Sequence, residues 1–200
     1  MDDFMRQGSL NDLGLVGRPS DENALVTMGD GGRPMVVNLR LDPTNKTAMK
    51  AVGSLLGVDL PLKANFYVQG KDFEVHWLAP DEWMIVSDAG NGNDLVASMA
   101  KALEGVHHSA VNVSDNFTVI TVEGEKARAL LQKAIPLDLH PREFSTGMSL
   151  QTHAAKTNVI LQQISDAPSY KIYVRRSFSH YLWAWLEDAS IGYGLAIASE

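Results

Sequence analysis

The chain repeats its own pattern at a long period, and this duplication constrains the possible folds more than any single motif does. In each half a predicted amphipathic helix is followed by a leucine- and proline-containing segment, Leu60-Pro61-Leu62 in the first half and Pro136-Leu137-Asp138-Leu139 in the second. An Ala-Pro pair, Ala79-Pro80 or Ala167-Pro168, then leads into a predicted strand. The flanking helices recur about 80 residues apart, as expected of an internal structural repeat. We therefore expect two related lobes.

The hydrophobic spacing gives both lobes a similar order of elements. Alternating apolar runs predict strands, and apolar positions at intervals of three and four residues predict helices. Antiparallel sheets with helices on one face, in strand-helix-strand-strand order, follow the split βαβ theme of α+β proteins. The predicted strands are 66–69, 73–78, 83–87, 108–113, 117–122, 148–153, 157–163 and 169–174, and the predicted helices follow Asp42-Pro43, begin near Asn93, run through 127–135 and span 177–188.

These patterns divide the chain into three parts. Residues 1–23 form an extended N-terminal arm, 24–109 the first α+β lobe and 110–200 the second, with the two lobes forming one structural unit. The first lobe opens with apolar runs at 24–28 and 35–39, and the turn cluster Gly29-Asp30-Gly31-Gly32 between them predicts a hairpin. The arm is too sparsely apolar to fold alone.

Charge and composition exclude several classes of partner. The chain is 45% apolar and 20% charged, which is typical of a compact globular protein. Its formal net charge is −7, and no block of lysine and arginine provides the electrostatic footprint for nucleic acid or acidic lipid. No apolar run is long enough to span a bilayer, and the first eight residues lack the apolar core of a secretory signal. We expect no nucleic acid or membrane partner and a cytoplasmic location.

The sequence contains no recognisable catalytic constellation. Because it has no cysteine, thiolate nucleophiles, thiolate metal ligands and disulfides are excluded. No two of its six histidines have the i, i+4 spacing that places both imidazoles on one helix face for zinc. No Gly-x-Ser-x-Gly elbow presents a serine, and the adjacent Asp81 and Glu82 follow Pro80 in a predicted turn, which favours a turn role over acid-base chemistry. We therefore expect no catalytic, cofactor-binding or metal-binding residue in this chain.

Four segments carry a resemblance to a known family. The most distinctive is Pro136-Leu137-Asp138-Leu139-His140-Pro141-Arg142-Glu143-Phe144, between an amphipathic helix and a β-rich stretch. The others are Leu78-Ala79-Pro80-Asp81-Glu82-Trp83, Val113-Ser114-Asp115, and Arg176-Ser177-Phe178 leading into Leu182-Trp183-Ala184-Trp185-Leu186. Together they resemble the gamma subunit of heterotetrameric sarcosine oxidases over most of residues 34–188. Family members commonly have Gly-Cys before the Pro-Leu-Asp-Leu-His run, whereas this chain has Ala134-Ile135, which keeps the helical apolar stripe.

The resemblance implies a noncatalytic structural subunit of an oxidoreductase. Enzymes of this type are alpha-beta-gamma-delta assemblies that oxidise the N-methyl group of sarcosine, pass electrons through flavins to oxygen and hand the one-carbon unit to tetrahydrofolate, producing glycine and hydrogen peroxide. The resemblance assigns FAD, FMN, NAD, zinc and tetrahydrofolate to the alpha, beta and delta partners. It also implies similarity to the folate-binding fold of aminomethyltransferases. Two alternatives stay open: the equivalent subunit of an N-methylglutamate dehydrogenase, and a stand-alone folate-binding or aminomethyl-transfer protein.

The final predicted helix carries a tryptophan outside its apolar stripe. The stripe has helical spacing and should face the core; it consists of Phe178, Tyr181, Leu182, Trp185 and Leu186. At 100° per residue, Trp183 points about 130° from the centre of the stripe, toward His180 and Glu187. Its large ring needs another cover, either a partner protein or a loop of the same chain. We expect Trp183 to lie at a subunit contact.

Three other places suit contact with a partner subunit. His140 and Arg142 offer hydrogen-bond donors on a loop that Pro141 stiffens, with structural use inside the lobe as the alternative. Arg175 and Arg176 lie where a strand gives way to a helix, so they are suited to pairing with a carboxylate across an interface, with a solvated pair as the alternative. The arm is expected to become ordered by wrapping a larger subunit. Its candidate contact residues are Phe4, Leu10 and Leu13.

Overall fold

The computed structural model describes residues 8–15, 18 and 21–198. These residues form eleven strands, four α-helices and several short 3-10 turns. The strands are β1 (Val26–Asp30), β2 (Met35–Leu41), β3 (Tyr67–Gln69), β4 (Glu74–Ala79), β5 (Glu82–Ser87), β6 (His108–Asn112), β7 (Phe117–Glu123), β8 (Ser149–Ala154), β9 (Thr157–Ser165), β10 (Ser169–Arg175) and β11 (Leu195–Ile197). The helices are α1 (Lys46–Leu56), α2 (Gly92–Ala102), α3 (Ala127–Ala134) and α4 (Ser179–Ser190).

The strands form two sheets that repeat one topology. One sheet has five strands in the order β3-β4-β5-β2-β6, and the other has six in the order β11-β1-β7-β10-β9-β8. The run β3-β4-β5-β2 therefore corresponds to β8-β9-β10-β7. Along the chain, α1 follows β2 and α3 follows β7, while α2 follows β5 and α4 follows β10. The pairs β2–β5, β4–β5 and β9–β10 are antiparallel, whereas β1 and β11 are parallel. The predicted α+β duplication is confirmed.

The chain divides into two compact units whose boundaries differ from those suggested by the sequence. The five-stranded unit comprises Pro34–Phe117 and Gly147–Leu150. The six-stranded unit comprises the described parts of Met1–Arg33, Thr118–Thr146 and Gln151–Glu200. Pairing explains the difference, because β1 joins β7 and β11 while β6 joins β2. The arm and β1 thus belong with the later part of the chain, and β6 belongs with the earlier part.

The predicted hairpin between 24–28 and 35–39 is wrong, although both strands exist. The chain leaves β1 for the other sheet at the glycine cluster instead of turning back on itself. Gly31 N–H donates to Val119 O at 2.8 Å, and Val119 N–H donates to Gly32 O at 3.3 Å. A Cβ on Gly31 would lie 2.6 Å from the Val119 side chain, so the close approach requires glycine. The same residues that favour a turn here let the backbone pass close to β7.

The five-stranded unit has a core between its two helices and one face of its sheet. Alternate residues of β2 point into this core, as the two-residue period of a strand requires. Trp83 is its largest side chain, and the indole N–H donates to the buried Pro61 O at 2.8 Å. The buried members of the core are Met35, Val37, Leu39, Leu41, Ala48, Val52, Leu56, Leu60, Val75, Trp83, Ile85, Leu95, Met99 and Leu103.

Candidate subunit interface

Helix α4 is buried along a different stripe from the predicted one. Phe178 is 47% exposed and Tyr181 39% exposed, so the prediction that they face the core is wrong, whereas Leu182 and Leu186 are buried as predicted. The buried stripe is rotated from the predicted one because two serines belong to it. Ser179 Oγ donates to Arg176 O at 2.9 Å and Ser190 Oγ to Glu187 O at 2.6 Å, so both hydroxyls are buried with a partner. The buried stripe consists of Ser179, Leu182, Trp183, Leu186 and Ser190.

Trp183 is covered by its own chain. Only 1% of the residue is exposed, which contradicts the expectation of a surface contact and agrees with the alternative of a loop of the same chain. On a helical projection Trp183 lies between the centre of the buried stripe and the side carrying His180 and Glu187. The arm runs along that side, because His180 Nε2 lies 2.9 Å from Asp12 Oδ1 and Arg18 donates to Glu187 Oε1 at 2.7 Å. The arm therefore contacts the side of α4 next to Trp183.

The described part of the arm is anchored on the six-stranded unit by the buried side chains of Leu10 and Leu15 and by several polar contacts. Leu10 is 0% exposed, so in this chain it packs internally and offers no exposed contact. Leu13 is half-buried, and its carbonyl accepts a hydrogen bond from Arg18 at 2.8 Å. Ser9 hydrogen-bonds Thr118 on β7 and accepts from His180 through its carbonyl. Phe4, the third candidate on the arm, lies outside the described residues.

A third side of α4 carries aromatic residues that neither the core nor the arm buries. Phe178, Tyr181 and Trp185 are spaced i, i+3 and i+7, so their side chains fall within about 60° of one another around the axis. Phe178 and Tyr181 are exposed and Trp185 is half-buried. We call these three residues the α4 aromatic stripe. It faces roughly 120° away from the buried stripe on the helical projection.

Two arginines lie beside the N-terminal end of the α4 aromatic stripe. Arg175 ends β10 and Arg176 opens the 3-10 turn Arg176–Phe178 that leads into α4. Both residues are exposed, as the sequence interpretation requires, but neither is an unpaired cation. They add positive charge at the helix end where the backbone dipole is also positive.

The loop of His140 and Arg142 is stabilised by its own hydrogen bonds. Asp138 Oδ1 accepts from the His140 N–H at 2.8 Å, and His140 Nδ1 accepts from the Arg142 N–H at 3.2 Å. The His140 carbonyl then accepts from Phe144, whose ring is buried. These contacts give His140 a structural role in the turn, while the Arg142 side chain is exposed.

The structure contains a buried polar cluster that the sequence did not indicate. His76 Nδ1 lies 2.8 Å from Ser149 Oγ, its Nε2 lies 3.4 Å from Glu74 Oε2, and the Tyr67 ring stacks on it with centroids 5.3 Å apart. A serine, a histidine and a carboxylate in contact suggest a nucleophile, but Ser149 is only 1% exposed and no substrate reaches it. His76 and Ser149 are 73 positions apart in the sequence, so no local pattern identifies the pair.

This cluster fastens the segment Gly147–Leu150 to the five-stranded unit. Tyr67 N–H donates to Gly147 O at 3.1 Å, and Ser149 N–H donates to Asn65 O at 2.9 Å. Phe66 and Met148 form an isolated antiparallel bridge between these bonds. The His76–Ser149 contact therefore adds a side-chain bond to a backbone attachment.

Tyr170 is a buried side chain with a raised pKa. It is fully buried on β10 and stacks with Phe144, with ring centroids 6.4 Å apart. Burial raises the pKa of Tyr170 because the phenolate would lose its hydration, and the nearby Arg128 guanidinium opposes this rise. Tyr170 is therefore neutral at physiological pH.

An open cleft lies on the five-stranded unit, between the β3–β4 hairpin and the loop after β5. Its volume is about 440 Å³. It is lined by Gln69, Gly70, Lys71, Asp72, Phe73, Glu74, Val86, Ser87, Asp88, Ala89 and Gly90. Within the described residues, no group of three or more His, Cys, Asp or Glu side chains is arranged to hold a metal ion. No helix in residues 8–15, 18 and 21–198 is long and apolar enough to cross a membrane.

Comparison with known proteins identifies the family. Residues 40–192 match the model of the "Sarcosine oxidase, gamma subunit family". The gamma subunit of sarcosine oxidase from Corynebacterium sp. strain U-96 is 31% identical over 166 residues, covering 82% of this chain and 78% of that one. The gamma subunit from Arthrobacter sp. is 30% identical over 140 residues, covering 70% and 68%. The chain belongs to the sarcosine oxidase gamma subunit family, which confirms the resemblance.

Solved structures agree with this assignment. A chain of the heterotetrameric sarcosine oxidase from Corynebacterium sp. U-96 superposes with a TM-score of 0.85 at 26% identity, over 94% of this chain and 96% of that chain. The glycine cleavage system aminomethyltransferase T from Bartonella henselae superposes with a TM-score of 0.63 at 15% identity, over 96% of this chain but 51% of that one. The second likeness confirms the expected fold relationship to aminomethyltransferases.

Proposed function

We propose that this chain is the noncatalytic gamma subunit of a heterotetrameric sarcosine oxidase complex. The observation that supports this most directly is the match to a chain of such an oxidase over nearly the full length of both chains. The complex would oxidise the N-methyl group of sarcosine, releasing glycine and hydrogen peroxide and passing the one-carbon unit to tetrahydrofolate. In this proposal the chain contributes structure to the assembly.

The described side chains that could act in catalysis take part in structural contacts, which favours a structural role for the chain. Ser149 and His76 are buried and hold the segment Gly147–Leu150 in place. His140 Nδ1 accepts a backbone hydrogen bond within its own turn. Catalysis requires a nucleophile or base within reach of a substrate, and the buried His76 and Ser149 do not meet that condition.

The partners in this proposal are the alpha, beta and delta subunits, which would hold FAD, FMN, NAD, zinc and tetrahydrofolate. We place the complex in the cytoplasm. Among the residues singled out from the sequence, Arg142, Arg175 and Arg176 are exposed and stay candidates for contact with a partner. His140, Leu13 and Phe4 also stay candidates. Trp183 and Leu10 do not, because both are buried by their own chain.

Purification of the tagged chain from its native cells tests the proposal. We expect larger subunits to co-purify, flavin bands in the visible spectrum, and peroxide formation that depends on added sarcosine. An untagged lysate carried through the same column is the control.

Other outcomes point to the alternatives. Turnover of N-methylglutamate without peroxide would assign the chain to the equivalent dehydrogenase. A colourless solitary chain that binds tetrahydrofolate would contradict the subunit role, and would give functional meaning to the fold shared with aminomethyltransferase T.

A further inference from the structure

Helix α4 has one side that faces the interior of its unit, one side that the arm contacts, and an outer side that is exposed. The buried stripe faces the interior of the six-stranded unit, and the arm occupies the side of His180 and Glu187. The remaining side carries the α4 aromatic stripe, with Phe178 47% exposed and Tyr181 39% exposed. Lys133 of α3 donates to Ala189 O at 2.7 Å, which places α3 beside the C-terminal end of this side.

The composition of this side is typical of the centre of a protein interface. A surface helix normally turns charged and polar residues to solvent, whereas here three aromatic residues lie on the outer side, next to the exposed Ala184 and Asp188. Their exposed parts amount to on the order of 200 Å² of apolar surface. A standard interface buries about 800 Å² on each partner, with aromatic residues enriched at its desolvated centre. The stripe is therefore large enough to form the centre of an interface and too small to form all of it.

We propose that the α4 aromatic stripe docks this chain onto a larger subunit of its oxidase complex, an inference that rests on the proposed function. The occupant is a partner surface of apolar side chains with a carboxylate toward the N-terminal end of α4. The positive end of the helix dipole supplies the complementary charge there, next to Arg175 and Arg176, which already have interactions within the chain. A partner subunit is favoured over a second copy because the matching solved oxidase is a heterotetramer in which a chain of this fold is one subunit.

The test compares two double variants within the complete complex. Phe178→Ala/Tyr181→Ala removes the exposed part of the stripe. Leu55→Ala/Leu62→Ala removes two exposed apolar side chains of the five-stranded unit, which are 36% and 58% exposed, and serves as the matched control. Each tagged chain is co-expressed with the larger subunits, and their capture is quantified together with the flavin absorbance of the eluate. Circular dichroism and the urea midpoint verify that each variant is folded.

We expect the stripe variant to lose at least about tenfold in capture of the larger subunits, because aromatic anchors at an interface centre carry most of the binding energy. The control should stay within about twofold of the original chain, as is usual for contacts outside such a centre. The conservative change Tyr181→Phe should keep capture, because the ring supplies the contact.

Three results would overturn the inference in different ways. Equal capture by the stripe variant and the original chain would show that docking uses another surface, while the proposed function would stand. Loss of self-association in place of subunit capture, measured by light scattering, would assign the stripe to a second copy. An original chain that captures no subunit would overturn the docking inference and the proposed function together.

Discussion

At the scale of single residues, the two fully buried tryptophans differ in the hydrogen bonding of the indole N–H. Trp83 donates its indole N–H to the buried Pro61 carbonyl, whereas the Trp183 indole N–H is buried without an acceptor among the described residues. A buried donor without a partner costs free energy, because it has lost its hydrogen bond to water. Trp183 thus stabilises the chain by packing alone, and Trp83 by packing and a hydrogen bond.

This difference predicts that phenylalanine is tolerated better at one position than at the other. Trp83→Phe leaves the Pro61 carbonyl buried and unpaired, so it should cost about 1–3 kcal/mol more of the unfolding free energy than Trp183→Phe. Trp183→Ala, which opens a large cavity, should cost about 3–5 kcal/mol. Urea unfolding followed by circular dichroism measures all three variants. Equal costs for the two phenylalanine variants would contradict this account.

Tyr170 predicts a loss of stability at alkaline pH. Its pKa is raised in the folded chain from the ordinary value of 10.0, chiefly by burial, so the folded state keeps the proton that the unfolded state releases. Stability is therefore unaffected below the unfolded pKa and falls as pH rises through the interval up to the raised folded pKa. Between about pH 8 and about pH 11 the original chain should lose more unfolding free energy than Tyr170→Phe. Parallel pH profiles of the two chains would refute the prediction.

Residue chemistry also explains where the sequence prediction failed. The face of α4 was assigned from apolar residues alone, and that rule cannot anticipate that Ser179 and Ser190 are buried with their hydroxyls bonded to nearby carbonyls. The burial of Trp183 within its own chain agrees with one of the two covers that the sequence left open.

At the scale of elements, the arm is attached through a buried side chain and through ion pairs, and these contacts contribute unequally to stability. The Arg18–Glu187 pair is partly exposed, with side chains 33% and 40% accessible, and such pairs contribute about 0–1 kcal/mol. Burial of Leu10 contributes more, since Leu→Ala changes in a core cost about 2–5 kcal/mol. The apolar contact, and not charge, holds the arm in place.

Leu10→Ala should therefore release the arm, whereas Arg18→Ala should barely loosen it. We expect faster amide hydrogen exchange and faster protease cleavage within residues 8–15 for Leu10→Ala, with α4 itself still protected. Raising the salt concentration should have little effect on either measurement in the original chain. An arm released equally by Arg18→Ala or by salt would assign its attachment to the ion pairs.

The elements themselves were predicted closely, but their pairing was not. The strands predicted at 73–78 and 108–113 correspond to Glu74–Ala79 and His108–Asn112, because local alternation determines where a strand lies. The partners of β1 are β7 and β11, and nothing within its own neighbourhood specifies them. The glycine cluster predicts a hairpin from the local sequence alone. The actual partners of β1 are strands far away in the sequence.

At the scale of the whole molecule, the repeat is complete but the units are not contiguous. The five-stranded unit takes nearly all of its residues from one stretch, Pro34–Phe117. The residues of the six-stranded unit come before and after that stretch in the sequence, and its sheet pairs the early strand β1 with the late strand β11. At this end of the sheet, the paired residues are therefore very far apart in the sequence.

Removing the chain from residue 195 onward should affect the two units unequally. The change deletes β11, so β1 loses the parallel pairing of Val26 with Leu195 and of Met28 with Ile197. We expect amide exchange to accelerate in β1, while amides of β2 and β5 in the five-stranded unit keep their protection. Mass spectrometry of deuterated peptides measures both. Equal loss of protection in the two units would mean that they unfold together.

The position of β11 also determines when folding can be completed during synthesis of the chain. All of Pro34–Phe117 leaves the ribosome as one block, whereas Val26 and Met28 must wait until Leu195 and Ile197 have been made. At ordinary elongation rates that delay is on the order of ten seconds, and for its duration β1 has at least one unpaired edge. The time the newborn chain spends at risk of aggregation is thus fixed by the distance between its first strand and its last.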